Sequence, residues 1–155
     1  MKYATILNAI ICEDIRQEVS GKFSLAGVYG SGVNVTNLPA TMIMGVFAEV
    51  SFHLIGEFEP QFRVIDDAGA ISITGNMKLS VNNLDTFPLV LGAFPISVTG
   101  PGEVKFQWKF PHSAWQTIKS FKVVHNPNAP LPTLLTLPNA VPPPSLQSPP
   151  VAPGS

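Results

Sequence analysis

Apolar and polar residues alternate with a period of two along much of this 155-residue chain, and that pattern predicts strands. Residues 103–110 (EVKFQWKF) show it most plainly: Val104, Phe106, Trp108 and Phe110 face one way, and Glu103, Lys105, Gln107 and Lys109 the other. Such a strand has one buried face and one wet face. Residues 3–12 (YATILNAIIC) are apolar on both faces and carry β-branched Thr5, Ile6, Ile10 and Ile11, as a central strand does; a short amphipathic helix is the competing reading. Residues 22–29 (KFSLAGVY) follow the turn signal Ser20-Gly21, and these two segments are expected to form an opening antiparallel pair. The GVYGSG stretch at 27–32 reads as a glycine-rich turn, since it matches neither a dinucleotide fingerprint nor a phosphate loop.

Residues 41–55 (TMIMGVFAEVSFHLI) are apolar almost throughout and long for one strand, so Gly45 is expected to mark a bend where the chain passes between sheets. Residues 57–65 alternate Phe58, Phe62 and Val64 with charged neighbours. Asp66-Asp67-Ala68-Gly69 then suits a type I turn closing a hairpin, and 70–81 returns with a kink at Gly75. Residues 89–98 and 117–124 complete about eight strands. Short strands at this spacing, with hardly any helical periodicity, predict an all-β fold, an antiparallel two-sheet β-sandwich, with a closed barrel as the alternative.

The pattern stops near His125, so residues 1–125 are expected to form the domain, a length that buries roughly two thirds of its unfolded surface around one core. Residues 126–155 hold ten prolines and no charge, which permits neither strand nor helix. This tail is read as a disordered or extended linker; it could also dock on a proline-recognising partner, or lay Leu131, Leu134, Leu135 and Leu137 in a groove of this domain or of a neighbouring copy.

Charged residues make up only 12% of the chain and the net charge is −1, so electrostatic protection against self-association is weak. Nucleic-acid binding is not expected, because Lys105, Lys109, Lys119 and Lys122 form only a loose set. A single cysteine, Cys12, excludes an internal disulfide framework and suits a cytoplasmic protein. The apolar run ending at Cys12 is closed by Glu13-Asp14 after about ten residues, too short for a membrane span.

Candidate chemistry is sparse. His53, His112 and His125 lack metal-ligand spacing, and Cys12 lies in the most apolar early strand, so neither a metal centre nor a Cys-His nucleophile is expected. Two carboxylate pairs, Glu13-Asp14 and Asp66-Asp67, would have to meet to hold calcium, and Asp66 and Asp67 are already explained as turn residues. Glu49, Glu57 and Glu59 could supply paired carboxylates, but nothing in their spacing demands glycosidase chemistry. Trp115, beside a loop, is the best exposed aromatic for stacking on a sugar or anchoring an interface, whereas Trp108 reads as core.

The segment KFSLAGVYGS, Pro39 before TMIMGVFAEVSF, the hairpin FRVIDDAG and the unit GPGEVKFQWKF answered by SFKVV resemble an uncharacterised bacterial family of short all-β proteins, over residues 1–124. The resemblance implies a sandwich in a bacterial or phage setting and carries no activity, cofactor or site residues. The leading expectation is therefore a non-enzymatic protein-binding or self-assembling module without a cofactor. A small-ligand domain for sugars or lipid headgroups is the second, and a hydrolase without a recognisable motif the third.

Overall fold

The computed structural model describes residues 2–128, so Leu131, Leu134, Leu135 and Leu137 lie outside the described residues. Among these there is no helix, and the strands number twelve where about eight were expected. They are β1 (Ala4–Cys12), β2 (Asp14–Gln17), β3 (Phe23–Ala26), β4 (Gly32–Val35), β5 (Ala40–Phe52), β6 (Gly56–Phe58), β7 (Gln61–Asp66), β8 (Ile71–Asn76), β9 (Leu79–Val81), β10 (Thr86–Val98), β11 (Gly102–Lys109) and β12 (Gln116–His125). Two of the extra strands, β2 and β4, are four-residue pieces too short to show a pattern. The others arise where an expected strand divides: Glu59-Pro60 separates β6 from β7, and Met77-Lys78 separates β8 from β9. Pro60 has no N–H to give a ladder, so pairing breaks there.

Two larger sheets hold most of the chain, one of order β1-β5-β10 and one of order β4-β12-β11-β7-β8. The expected pairing of residues 3–12 with residues 22–29 does not form: β1 pairs with β5, and β3 pairs with β2. Only a bridge between Ile11 and Tyr29 links β1 to the 22–29 region. The antiparallel expectation also fails once, since β12 and β4 run parallel from Lys122↔Gly32 to His125↔Val35. Gly45 does not mark a change of sheet either, because β5 stays paired with β10 on both sides of it, from Ala40 to Ser51, although β1 lies alongside only from Gly45 to Phe52. Its hydrogen matters because β10 bulges against it between Leu91 and Phe94, bringing the Leu91 carbonyl oxygen within 2.9 Å of where a Cβ would stand.

The inward residues of both sheets form one core. Met44, Val46, Ala48 and Val50 of β5 and Leu89, Leu91, Ile96 and Val98 of β10 join Val64 of β7, Val104, Phe106 and Trp108 of β11, and Phe121 and Val123 of β12. The alternation over 103–110 thus buries the four residues it predicts to be inside. Phe52 meets Trp108 across the sheets edge to face, with ring centroids 6.4 Å apart. The Trp108 indole is fully buried and donates its N–H to Gln116 Oε1 at 3.2 Å, so no polar group is stranded there. At one corner Phe62 of β7 stacks on Phe94 of β10, and Ser72 of β8 donates to the Ser97 carbonyl. At the other corner β1 packs beside β12, while the β2–β3 hairpin lies against β5 and β10, with Phe23 covering Phe47 at 5.3 Å. No helix in the described residues is long and apolar enough to cross a membrane.

Candidate functional site

The register of the five-stranded sheet brings distant polar residues onto one outward face. Asn76, Gln61 and Lys109 line up across β8, β7 and β11. Thr74, Arg63, Gln107 and Thr117 form the next row across β8, β7, β11 and β12. This second row is bonded side chain to side chain: Arg63 Nε donates to Gln107 Oε1 at 2.9 Å, and Gln107 Nε2 donates to Thr117 Oγ1 at 3.2 Å. A planar guanidinium held in this way is preorganised to support an aromatic ring.

Trp115 immediately precedes β12, and the Arg63 guanidinium carbon lies 4.1 Å from its ring centroid, with Lys109 Nζ at 6.0 Å. The expectation of an exposed tryptophan therefore needs correction: Trp115 is half-buried, because its ring rests on Arg63. Lys109 also lines an open depression of about 350 Å³, with Glu59, Gln61, Asn76, Phe110 and His112; Trp115 is not in that lining. His112 holds its wall in place with a left-handed backbone, φ 60°, within a tight turn. Ser113 locks that turn, since its hydroxyl accepts from the Phe110 N–H at 3.1 Å and donates to the Phe110 carbonyl at 3.0 Å. The depression thus combines amide, ammonium, imidazole and carboxylate groups, a set that can give and receive hydrogen bonds to hydroxyls.

A second polar cluster at the opposite end of the same face is occupied internally. Asp67 accepts the Glu103 N–H at 2.7 Å and the Lys105 ammonium at 3.4 Å, and Lys105 also meets Glu103 at 3.0 Å. The backbone donor of Glu103, and then Lys105, hold the Asp67 carboxyl below its ordinary value. Glu103 is likewise lowered, first by the Ser120 hydroxyl at 2.7 Å and then by Lys105, whose own ammonium is raised chiefly by Glu103. Asp66 caps its turn by accepting the Ala70 N–H at 2.8 Å, and Gly69 closes that turn by donating to the Asp66 carbonyl at 3.0 Å.

The remaining candidates stay apart. His53 shares a hydrogen bond of 2.8 Å with Thr5 Oγ1, and His125 reaches the Thr36 carbonyl at 3.3 Å, so neither joins His112. Among the described residues no three histidine, cysteine or acidic side chains gather as metal ligands would. Cys12 is buried opposite Gly45, and that burial, with the charge of Asp14, pushes its thiol up. Glu57 accepts the Ser80 hydroxyl at 2.6 Å, Glu59 stands 3.9 Å from Lys78, and Glu49 lies outward on β5.

Sequence reasoning singled out Trp115 but missed Arg63 and Lys109 as its neighbours, and Gln61, Asn76 and His112 as residues that share a depression with Lys109. The alternation places Gln61, Arg63 and Lys109 on outward faces, but only the β7–β11 register puts them side by side. No protein-family model matches the chain, and no curated protein matches it.

Proposed function

We propose that this all-β domain is a non-enzymatic recognition module whose ligand is a sugar, bound in the depression beside Trp115. In this reading the two larger sheets are the halves of a sandwich, the setting is bacterial or phage, as the family resemblance implies, and the compartment is the cytoplasm, which a single cysteine suits. One observation carries the proposal: Lys109, whose Nζ lies 6.0 Å from the centre of the Trp115 ring, also lines an open depression whose other residues offer donors and acceptors in mixture. Hydroxylated ligands need that mixture, because each hydroxyl both gives and accepts.

The test is intrinsic fluorescence and thermal unfolding across a panel of neutral and acidic oligosaccharides, with the Trp115→Ala variant isolating the contribution of that ring. Binding is expected to change the Trp115 emission and raise the melting temperature by mass action. Unchanged emission and melting temperature at millimolar concentrations of every panel member would sink the reading.

Self-association is a second reading, favoured by one observation. Strand β8 forms an edge of the five-stranded sheet, carries no charge over Ile71–Asn76, and leaves Ile71 54% exposed. Edges are ordinarily blunted by charge, so two uncharged copies can approach without repulsion. Light scattering of the full chain across a hundredfold range of concentration tests this, and a constant monomer mass excludes it.

A further inference from the structure

We infer that the ligand carries a carboxylate, so that the depression beside Trp115 takes an acidic oligosaccharide, with Lys109 reading the charge and Gln61 and Asn76 the hydroxyls. This inference rests on the sugar-binding reading of the same depression. It starts from how the cations of the outward face are used.

Lys105 is neutralised by both Glu103 and Asp67. Arg63 commits its Nε to Gln107 and its guanidinium plane to the Trp115 ring, which makes it a positioning residue. Lys109 has no salt-bridge partner among the described residues, and it lies between the ring and the depression. The one acidic residue of the lining, Glu59, stands 3.9 Å from Lys78 on the rim. Lys109 is thus the cation in the lining that no protein carboxylate answers, within reach of a ligand seated against Gln61 and Asn76. A carboxylate placed there would gain a charge-assisted hydrogen bond, and the amides of Gln61 and Asn76, neighbours in one register row, would span adjacent hydroxyls. A nucleic acid fits this face less well, because Glu59, Asp67 and Glu103 interrupt it and a single tryptophan offers stacking for one base.

The experiment compares oligogalacturonate hexamers with the same hexamers methyl-esterified, which keeps every ring and hydroxyl and removes only the charge. Wild-type protein should bind the acid form about tenfold or more tightly than the ester, the size expected of one charge-assisted hydrogen bond. Lys109→Gln should lose that preference, and Lys109→Arg should keep it, with melting temperatures unchanged in both. The ester comparison needs no variant, so the test survives a substitution that fails to fold. Equal binding of acid and ester by wild-type protein would overturn the carboxylate inference and leave the sugar reading standing. No binding of either form, together with a silent neutral panel, would overturn both. Tighter binding of a uridine hexanucleotide than of oligogalacturonate would overturn the inference in favour of a nucleic-acid ligand.

Discussion

Replacing Gly45 by alanine tests whether β5 is pressed against the β10 bulge. Gly45 is buried in the three-stranded sheet, opposite Cys12 of β1 and level with the two residues that β10 loops out between Leu91 and Phe94. An added Cβ would stand 2.9 Å from the Leu91 carbonyl oxygen and 3.2 Å from both the Ala93 nitrogen and the Gly92 carbonyl carbon. All three atoms are backbone, so no rotamer change relieves the contact and a strand must move. Overpacking of this kind costs about 2–3 kcal/mol. For a domain of this size that corresponds to a fall in melting temperature of roughly 6–15 °C, taking about 3–5 °C per kcal/mol. Gly92→Ala is the control, because a Cβ there meets nothing within 4 Å; its melting temperature should be unchanged or slightly raised. Thermal and urea unfolding of the three proteins measure both effects. Equal stability of Gly45→Ala and wild type, within about 0.5 kcal/mol, would refute the close approach and with it the placement of the bulge.

Other perturbations address the polar network and the buried groups. The Asp67 carboxyl is held low chiefly by the Glu103 N–H, so the stability it contributes is present above the ordinary aspartate value and lost as pH falls through the lowered one. Asp67→Asn should flatten the acid limb of stability against pH, and parallel acid limbs in the two proteins would contradict this. The Tyr29 phenol is pushed up to about 12 by burial, by its hydrogen bond to Glu13 at 3.0 Å and by the Glu13 charge. The stability linked to it is present below the ordinary value of 10.0 and lost as pH rises towards 12, and ultraviolet titration should show a phenolate step there that Tyr29→Phe lacks. Cys12 is buried and its thiol raised, so a thiol reagent at neutral pH should label it slowly in native protein and completely in denaturant. Rapid stoichiometric labelling of native protein would show that β1 opens readily.

Local chemistry made part of the architecture legible in the chain itself. Period-two alternation over 103–110 assigned Val104, Phe106, Trp108 and Phe110 to the core, because a strand's two faces are fixed by sequence parity alone. The Asp66–Gly69 turn was readable for the same reason, since the Asp66 side chain and the Gly69 backbone, φ 82°, satisfy it within five residues. Trp115 stood out as the aromatic next to a loop. Its surroundings did not, because Arg63 reaches it from β7, about fifty residues away in sequence, and Lys109 from across the turn at Pro111–Ala114.

What only the tertiary structure decided is pairing. Parity says which side chains point inward but assigns no partner, so the first segment was matched to its near neighbour when it pairs with β5. The choice is made by packing: β5 offers β1 an eight-residue, largely apolar partner from Phe52 to Gly45, where 22–29 offers one bridge at Tyr29. Short strands such as β2 and β4 exist only because a longer strand or hairpin template lies alongside them. The candidate site belongs to the same category, since it is assembled from the β8–β7–β11 register and a turn locked by Ser113. The sequence determined an all-β chain with one wet and one buried face on its most plainly alternating strand. Long-range register, which depends on how whole strands pack, decided which polar residues share that wet face and surround Trp115.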